Sequence, residues 1–271
     1  MKLCGLIVRV FIAWMVAWSM MPEERSAAAT PAGRASIELV QEAYEYGTPP
    51  KRQEVPDTSI PPSNKPLGPE ELQRAEALLP LLEGRQEFWA MGEFVHLGGP
   101  AVPVVTKALS MPSPRIRYNA IETLQMIKDP SAVPALIRLA QEPAEMPRIR
   151  EHALRVAVRL DARATTPAIE AMAKDQESAV RKVAAFEARY VRQKAVVPVL
   201  IGMIGDAERF VAVTAVQSLW ILTRHESELH DWDTSTQQDR EAWAKEWVEW
   251  WNTERDTFQF PDPKKPREPL Q

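Results

Sequence analysis

The chain has 271 residues, of which 45% are hydrophobic and 26% are charged, a composition typical of a folded soluble protein rather than a disordered one. Its formal net charge of -4 argues against a nucleic-acid partner, because such partners usually demand a basic excess. Cys4 is the single cysteine, which excludes an internal disulfide and a cysteine-rich metal site.

Residues 1–29 have the pattern of an export signal. A short basic region precedes an almost wholly apolar run at 10–21, and small residues suited to cleavage end at Ala29. We expect cleavage after Ala29, which would also remove Cys4 and place the mature chain in the periplasm or outside the cell. The alternative is an uncleaved membrane anchor through residues 3–21, although a bilayer-spanning helix needs roughly 20 apolar residues.

Residues 30–69 are predicted to be a linker, because prolines cluster between positions 49 and 69. Proline fixes φ and lacks a backbone donor, so a segment this rich in proline should be extended and semi-rigid. A short helix is predicted over 36–46, where apolar residues fall on one side. This linker would separate the export signal from the rest of the chain.

The region 70–223 repeats one pattern, and its clearest marker is a proline preceded by Ala-Val, Thr-Thr or Val-Val. The four prolines are 31, 33 and 31 residues apart: Pro103, Pro134, Pro167 and Pro198. Proline suits the first turn of a helix, where its missing N–H would have no partner. Apolar residues two and six positions later predict one buried face for the first helix of each unit.

A second helix is predicted in each unit from a column of small residues. The column consists of Ala120, Ala153, Ala184 and Ala215, and apolar residues stand four positions before and after each alanine. Alanine lets two helices cross closely without the helix penalty of glycine. Each unit is therefore a helical hairpin that must stack on its neighbours to bury its apolar face.

The Ala-Val-Pro openings, the Ile/Val-Arg starts of the second helices and the period of 31 to 33 residues resemble the HEAT repeats of bacterial proteins. They include the short type found in phycobilisome-lyase-like families. The resemblance covers residues 101–223, and a fainter copy precedes it with helices at 70–82 and 86–97, where Ala90 and Phe94 match the buried columns. It implies an all-α fold, an α-solenoid of about five hairpins that serves as a scaffold.

Residues 224–260 are predicted to be a polar loop followed by a tryptophan-rich helix, and 261–271 a disordered tail. Four tryptophans lie on one helical face: Trp243, Trp247, Trp250 and Trp251. We expect this helix to cap the last hairpin, against Trp220 and Leu222. The alternative is an aromatic platform for glycans or cell-wall fragments.

Three arginines, Arg117, Arg150 and Arg181, recur at the same place in successive units and should form a ladder in the stacked array. An arginine at this place resembles the arginine of HEAT repeats that bonds to acidic or carbonyl groups of neighbouring loops. The alternative is that the three arginines form an anion-binding stripe. The candidate carboxylate partners are Asp129, Asp161, Asp175 and Asp206.

The histidines suggest neither a metal site nor catalysis. His225, Glu226 and His230 miss the zinc-protease motif, which needs two histidines four residues apart on one helix, and we expect them on the surface of a loop. His96 and His152 have no Ser, Asp or Glu partner that the sequence can place. We therefore predict no catalytic residue, no cofactor and no metal.

The favoured function is a non-catalytic scaffold that binds another protein, of unknown identity, through the exposed side of its second helices. The candidate binding residues are Tyr118, Glu122, Glu151, Arg155, Lys182, Glu187 and Gln217. One alternative is a glycan-binding module that uses the C-terminal tryptophans. Another is an enzyme resembling HEAT-type bilin lyases or helical-repeat DNA glycosylases, against which the export signal and the acidic chain argue.

Overall fold

A computed structural model describes residues 65–225, 227 and 230–262. They all belong to the second of two compact units, which spans residues 54–271. The predicted export signal, the helix over 36–46 and most of the linker lie outside the described residues, as do positions 263–271 of the predicted tail.

Eleven α-helices, and no strand, are found in the part of the chain that the structure describes. In chain order they are α1 (Pro69–Leu78), α2 (Glu87–Leu97), α3 (Val102–Ala108), α4 (Pro114–Ile127), α5 (Val133–Ala140), α6 (Pro147–Asp161), α7 (Thr166–Met172), α8 (Ser178–Ala188), α9 (Val196–Ile204), α10 (Arg209–Thr223) and α11 (Gln237–Glu254). The helices α1 to α10 pair into five consecutive hairpins, and α11 follows them. The predicted fold class, an all-α solenoid of HEAT-type hairpins, is confirmed.

The repeated prolines lie where the sequence pattern places them, in the first turn of each first helix. Pro103, Pro134 and Pro167 occupy the second position of α3, α5 and α7, and Pro198 the third position of α9. The second helix α4 begins with Pro114, whose neighbour Ser113 caps the helix by accepting a bond from an amide of the first turn. The prolines thus define where each helix starts.

The alanine column lies at the centre of the packing between second helices. Ala120, Ala153, Ala184 and Ala215 are all fully buried. The second helices α2, α4, α6, α8 and α10 contact one another in order, and more extensively than successive first helices do. Small side chains permit this close approach between second helices.

The fainter first copy of the repeat is also a hairpin. Ala90 and Phe94 of α2 are fully buried, at the places that match Ala120 and Leu124. Its first helix differs from the expected span of 70–82, because α1 ends at Leu78 and a 3-10 turn continues over Leu79–Leu82. Pro80 lies in that turn and cannot donate the bond that an α-helix would need.

Helix α11 takes the position that the first helix of a sixth hairpin would have. It begins with a capping box between Thr236 and Asp239, and it packs most extensively against α9. The expected neighbours Trp220 and Leu222 lie on α10, and their contact with α11 stays a prediction. Helix α11 therefore covers the last hairpin mainly on the side of α9.

The residues after α11 run back across the loop between α8 and α9. Lys194 Nζ donates to the carbonyl of Arg255 at 2.6 Å, and Arg192 donates to the carbonyl of Pro261. Arg224 donates to the carbonyl of Asp262 at 2.8 Å. The disordered tail was predicted from position 261, but Pro261 and Asp262 are held by these bonds.

Replacing Ala184 by leucine should destabilise the protein, because the added methyl groups would push α8 away from α6 and α10. Overpacking of this kind costs about 1–3 kcal/mol in the free energy of unfolding. The matched control is Ala179→Leu on the same helix, where the alanine is exposed and the cost should stay within about 0.5 kcal/mol. Urea unfolding measures both; equal effects would contradict the role of the column.

Candidate functional site: the second-helix face

Aligning α4, α6, α8 and α10 on the alanine column shows which residues of the second helices face outward. Residues at equal places in the alignment form three columns that point away from the core. We call their surface the second-helix face. The columns are Tyr118, Glu151 and Lys182; then Glu122, Arg155, Phe186 and Gln217; then Met126, Arg159, Tyr190 and Ile221.

Six of the seven predicted binding residues lie on this face. Lys182 and Gln217 are exposed, whereas the other four are half-buried: Tyr118, Glu122, Glu151 and Arg155. Burial raises the pKa of Glu151, while the nearby Arg155 and Lys182 oppose that shift. The structure therefore brings six candidates onto one surface of consecutive helices.

The expectation that Glu187 is exposed is wrong, because only 3% of this residue is accessible. It occupies the column of Thr123, Val156 and Ser218, each fully buried between second helices. Arg155 Nε donates to Glu187 Oε1 at 3.3 Å. Burial raises the pKa of Glu187, and Arg155 opposes the shift. Glu187 therefore positions Arg155 at the surface.

His152, which the sequence leaves without a partner, is buried between α4 and α6. Its ring stacks on Tyr118 with centroids 4.8 Å apart, and its Nε2 lies 2.9 Å from Oε1 of Glu122. Burial lowers the pKa of His152 below its ordinary value, whereas the Glu122 carboxylate opposes this shift. These contacts hold Tyr118 and Glu122 in place on the second-helix face.

A cavity of about 480 Å³ opens between α6 and α8 on the same face. Its lining residues are Arg155, Val158, Arg159, Ala162, Phe186, Glu187 and Tyr190. Sequence reasoning missed the two aromatic residues and Arg159. A signal was present, since the alignment puts Arg155 beside Phe186 and Arg159 beside Tyr190 in adjacent repeats.

The arginine ladder connects each second helix to the turn of the next hairpin. Arg117 forms a bidentate pair with Glu145, and Arg181 forms one with Asp206 at 2.7 and 2.9 Å. Arg150 donates to the carboxylate of Asp175. The three guanidinium groups also donate to the carbonyls of helix ends and turns, such as Ala140 for Arg150 at 3.0 Å.

Two of the four candidate ladder partners, Asp175 and Asp206, lie where the arginines reach them. Asp129 and Asp161 do not, because each accepts backbone N–H groups of its own turn. Glu145 fills the first place instead. The hydrogen bonds of Arg117, Arg150 and Arg181 to these groups connect each second helix to the next hairpin.

Helix α11 adds one more arginine to this pattern. Arg240 is 3% exposed and donates to the carbonyls of Asp206 and Ala207 at 2.9 Å, in the turn between α9 and α10. It also donates to the carbonyl of Ser235 at 2.9 Å. A buried guanidinium thus anchors the capping helix to the last hairpin.

The four tryptophans of α11 pack among other rings. Trp247 and Trp251 are buried, while Trp243 and Trp250 are half-buried. Phe258 packs edge-on against Trp251 with centroids 5.5 Å apart. The cluster seals the end of the array, as expected of aromatic residues that bury a large area.

The histidines of the loop before α11 are not the surface residues that we expected. His225 stacks on Trp250, and His230 stacks on Trp243, each with ring centroids 4.2 Å apart. His230 Nε2 also lies 3.2 Å from a carboxylate oxygen of Glu246. Each of these two histidines therefore covers one face of a half-buried tryptophan ring.

Within residues 65–225, 227 and 230–262 no group of three or more His, Cys, Asp or Glu side chains is arranged to hold a metal ion. None of the described helices is both long enough and apolar enough to cross a membrane.

The comparison with known protein families agrees with the architecture. Residues 88–157, from α2 to most of α6, match the family model of HEAT repeats. No curated protein matches the chain. Among solved structures, the complex of CpcE and CpcF of phycocyanin lyase from Nostoc sp. PCC7120 contains a similar chain, with 20% identity and a TM-score of 0.44 over 55% of this chain and 97% of that chain.

Replacing Arg150 by methionine should destabilise the protein by about 3 kcal/mol, because the Asp175 carboxylate would lose its partner in a largely buried site. The control is Arg209→Met, which removes an exposed pair with Asp233 and should cost less than about 1 kcal/mol. Urea unfolding of both variants gives the comparison. Similar losses would contradict a connecting role for the ladder.

The buried site of His152 predicts a pH effect on stability. Because its pKa is lowered in the folded chain, stability should be full above about pH 6.5 and should fall as pH decreases, since the unfolded chain binds the proton first. His152→Phe should lack this component in urea unfolding between about pH 8 and pH 5.

A proton NMR titration checks the same site directly. The pKa of His152 should lie below about 6.5 and should fall further in Glu122→Gln, which removes the opposing carboxylate. A pKa above this value in the wild-type protein would contradict the prediction.

Proposed function

We propose that the chain is a non-catalytic scaffold that binds another protein through the second-helix face, outside the cytoplasm. The observation that carries the proposal is the exposure of large apolar side chains along this face and its edge. Phe186 is 39% exposed, Tyr190 54%, Phe210 41% and Ile221 53%. Exposed apolar surface of this kind is typical of interaction sites, in which aromatic residues and arginine are enriched.

The contacts between second helices support the proposal, because they make the face rigid before any partner binds. Arg155 connects α6 to Glu187 of α8, and Arg189 connects α8 to Ser218 of α10 at 3.1 Å. His152 connects α6 to α4 through Tyr118. A surface that is already ordered loses less conformational entropy on binding.

Export is supported by the sequence of residues 1–29 alone. Cleavage after Ala29 would release the array, whereas an uncleaved segment at 3–21 would tether it to a membrane. Either outcome places the second-helix face outside the cytoplasm in this proposal.

The alternative of glycan binding through the tryptophans has less support. Trp247 and Trp251 are buried, and the two half-buried rings are stacked on histidines. A sugar that stacked on the histidine-covered face of Trp243 or Trp250 would have to displace His230 or His225. The second-helix face needs no such rearrangement.

Site-specific photo-crosslinking in cells that produce the chain tests the proposal. A photoreactive residue at Lys182 or Gln217, both exposed on the second-helix face, should crosslink to the same protein, and the adduct should fractionate outside the cytoplasm. The control position is Glu170 on the first helix α7, also exposed, where that adduct should be absent. Equal labelling from both sides, or no protein adduct from the face, would contradict the proposal.

A further inference from the structure

We propose that the cavity between α6 and α8, here called the second-helix pocket, binds an acidic segment of the partner protein. An aromatic or aliphatic side chain of that segment would fill the pocket, and neighbouring carboxylates would pair with the arginines around it. This inference rests on the proposed function, since it names the kind of sequence that the second-helix face recognises.

The pocket has the size and the lining of a site for one side chain and its flanking backbone. Its volume of about 480 Å³ lies in the range of ligand sites in proteins. Val158, Ala162, Phe186 and Tyr190 supply apolar surface. Tyr190 is 54% exposed, so a partner can contact its ring while the neighbouring helix ends stay folded.

The charge around the pocket favours carboxylates. Arg155 and Arg159 line it, and Arg189 lies over the Phe186 ring with its guanidinium carbon 3.9 Å from the centroid. One carboxylate in the lining, Glu187, opposes these three cations. A local excess of positive charge on a chain of net charge -4 is a specific feature of this site.

The guanidinium groups are held by contacts that set their positions. Arg159 Nη1 donates to Gln125 of α4 at 3.0 Å, Arg155 Nε donates to Glu187, and Arg189 donates to Ser218. Arginine pairs with a carboxylate through two parallel hydrogen bonds, so a fixed guanidinium increases both affinity and specificity.

Neighbouring positions on the face do not repeat this combination. Between α4 and α6 the same columns place Glu122 beside Arg155 and Met126 beside Arg159, and the Glu122 carboxylate opposes an acidic ligand. Between α8 and α10 they place Gln217 and Ile221 beside the aromatic pair. The columns bring arginines and aromatic rings together between α6 and α8.

The test is a selection from a random peptide library displayed on phage, with the full chain as target. Recovered sequences should be enriched in Asp and Glu next to Phe, Tyr or Leu. The best peptide, synthesised with a fluorophore, should bind in anisotropy measurements and should bind more weakly as salt rises from about 50 to about 300 mM.

Two variants then locate the site on the chain. Arg159→Gln and Tyr190→Ser should each weaken binding at least about tenfold, as expected for arginine and tyrosine at the centre of an interface. Both residues are exposed, so the variants should keep the melting temperature of the wild-type chain. The control Arg74→Gln, on the first helix α1, should change the affinity less than about twofold.

Several outcomes would overturn the inference: no enriched peptide, enrichment of neutral or basic peptides, or equal binding by the pocket variants. Binding of a heparin fragment or a single-stranded oligonucleotide in place of any peptide would show that the pocket takes another polyanion. If crosslinking from Lys182 and Gln217 still captures a protein, the proposed function stands without this pocket. If both experiments fail, the proposed function fails as well.

Discussion

The close packing of successive second helices is the constraint on which the rest of this structure depends. No hairpin can bury its apolar surface alone, so each relies on its neighbour, and the alanine column sets how near the helices come. Because Ala120, Ala153, Ala184 and Ala215 are fully buried, the register of every other column is set relative to them. The arginine ladder then connects the turns at the edge of the same stack.

The same register decides which side chains reach the surface. Glu187 shows this most clearly, because its place in the buried column outweighs the usual preference of a carboxylate for water. The cost of burying it is reduced by Arg155, which occupies the next column. Function on such a face depends on neighbours in adjacent repeats rather than on neighbours in sequence.

The sequence predicts the hairpins well because their signals are local: proline at helix starts, alanine at crossings and a period near 32 residues. It predicts contacts between units less well. Glu145 was missed because the turn between α5 and α6 is longer than the corresponding turns of later hairpins. The acidic partner in this turn therefore stands at a different sequence position from Asp175 and Asp206. Phe186, Tyr190 and Arg159 were missed because the pocket appears only when two repeats are aligned. The stacking of His225 and His230 depends on how a loop folds, which periodicity does not describe.

The segment that returns from α11 has a consequence for how the array loses its structure. In a linear solenoid either end can fray, because each unit is held only by its neighbours. Here Arg192, Lys194 and Arg224 donate hydrogen bonds to backbone carbonyls of residues 255–262, so this returning segment connects the last two hairpins. At the other end α1 buries only Ala75. Among the described hairpins, local unfolding should therefore begin at the first one and proceed toward the last two, which are bonded to residues 255–262.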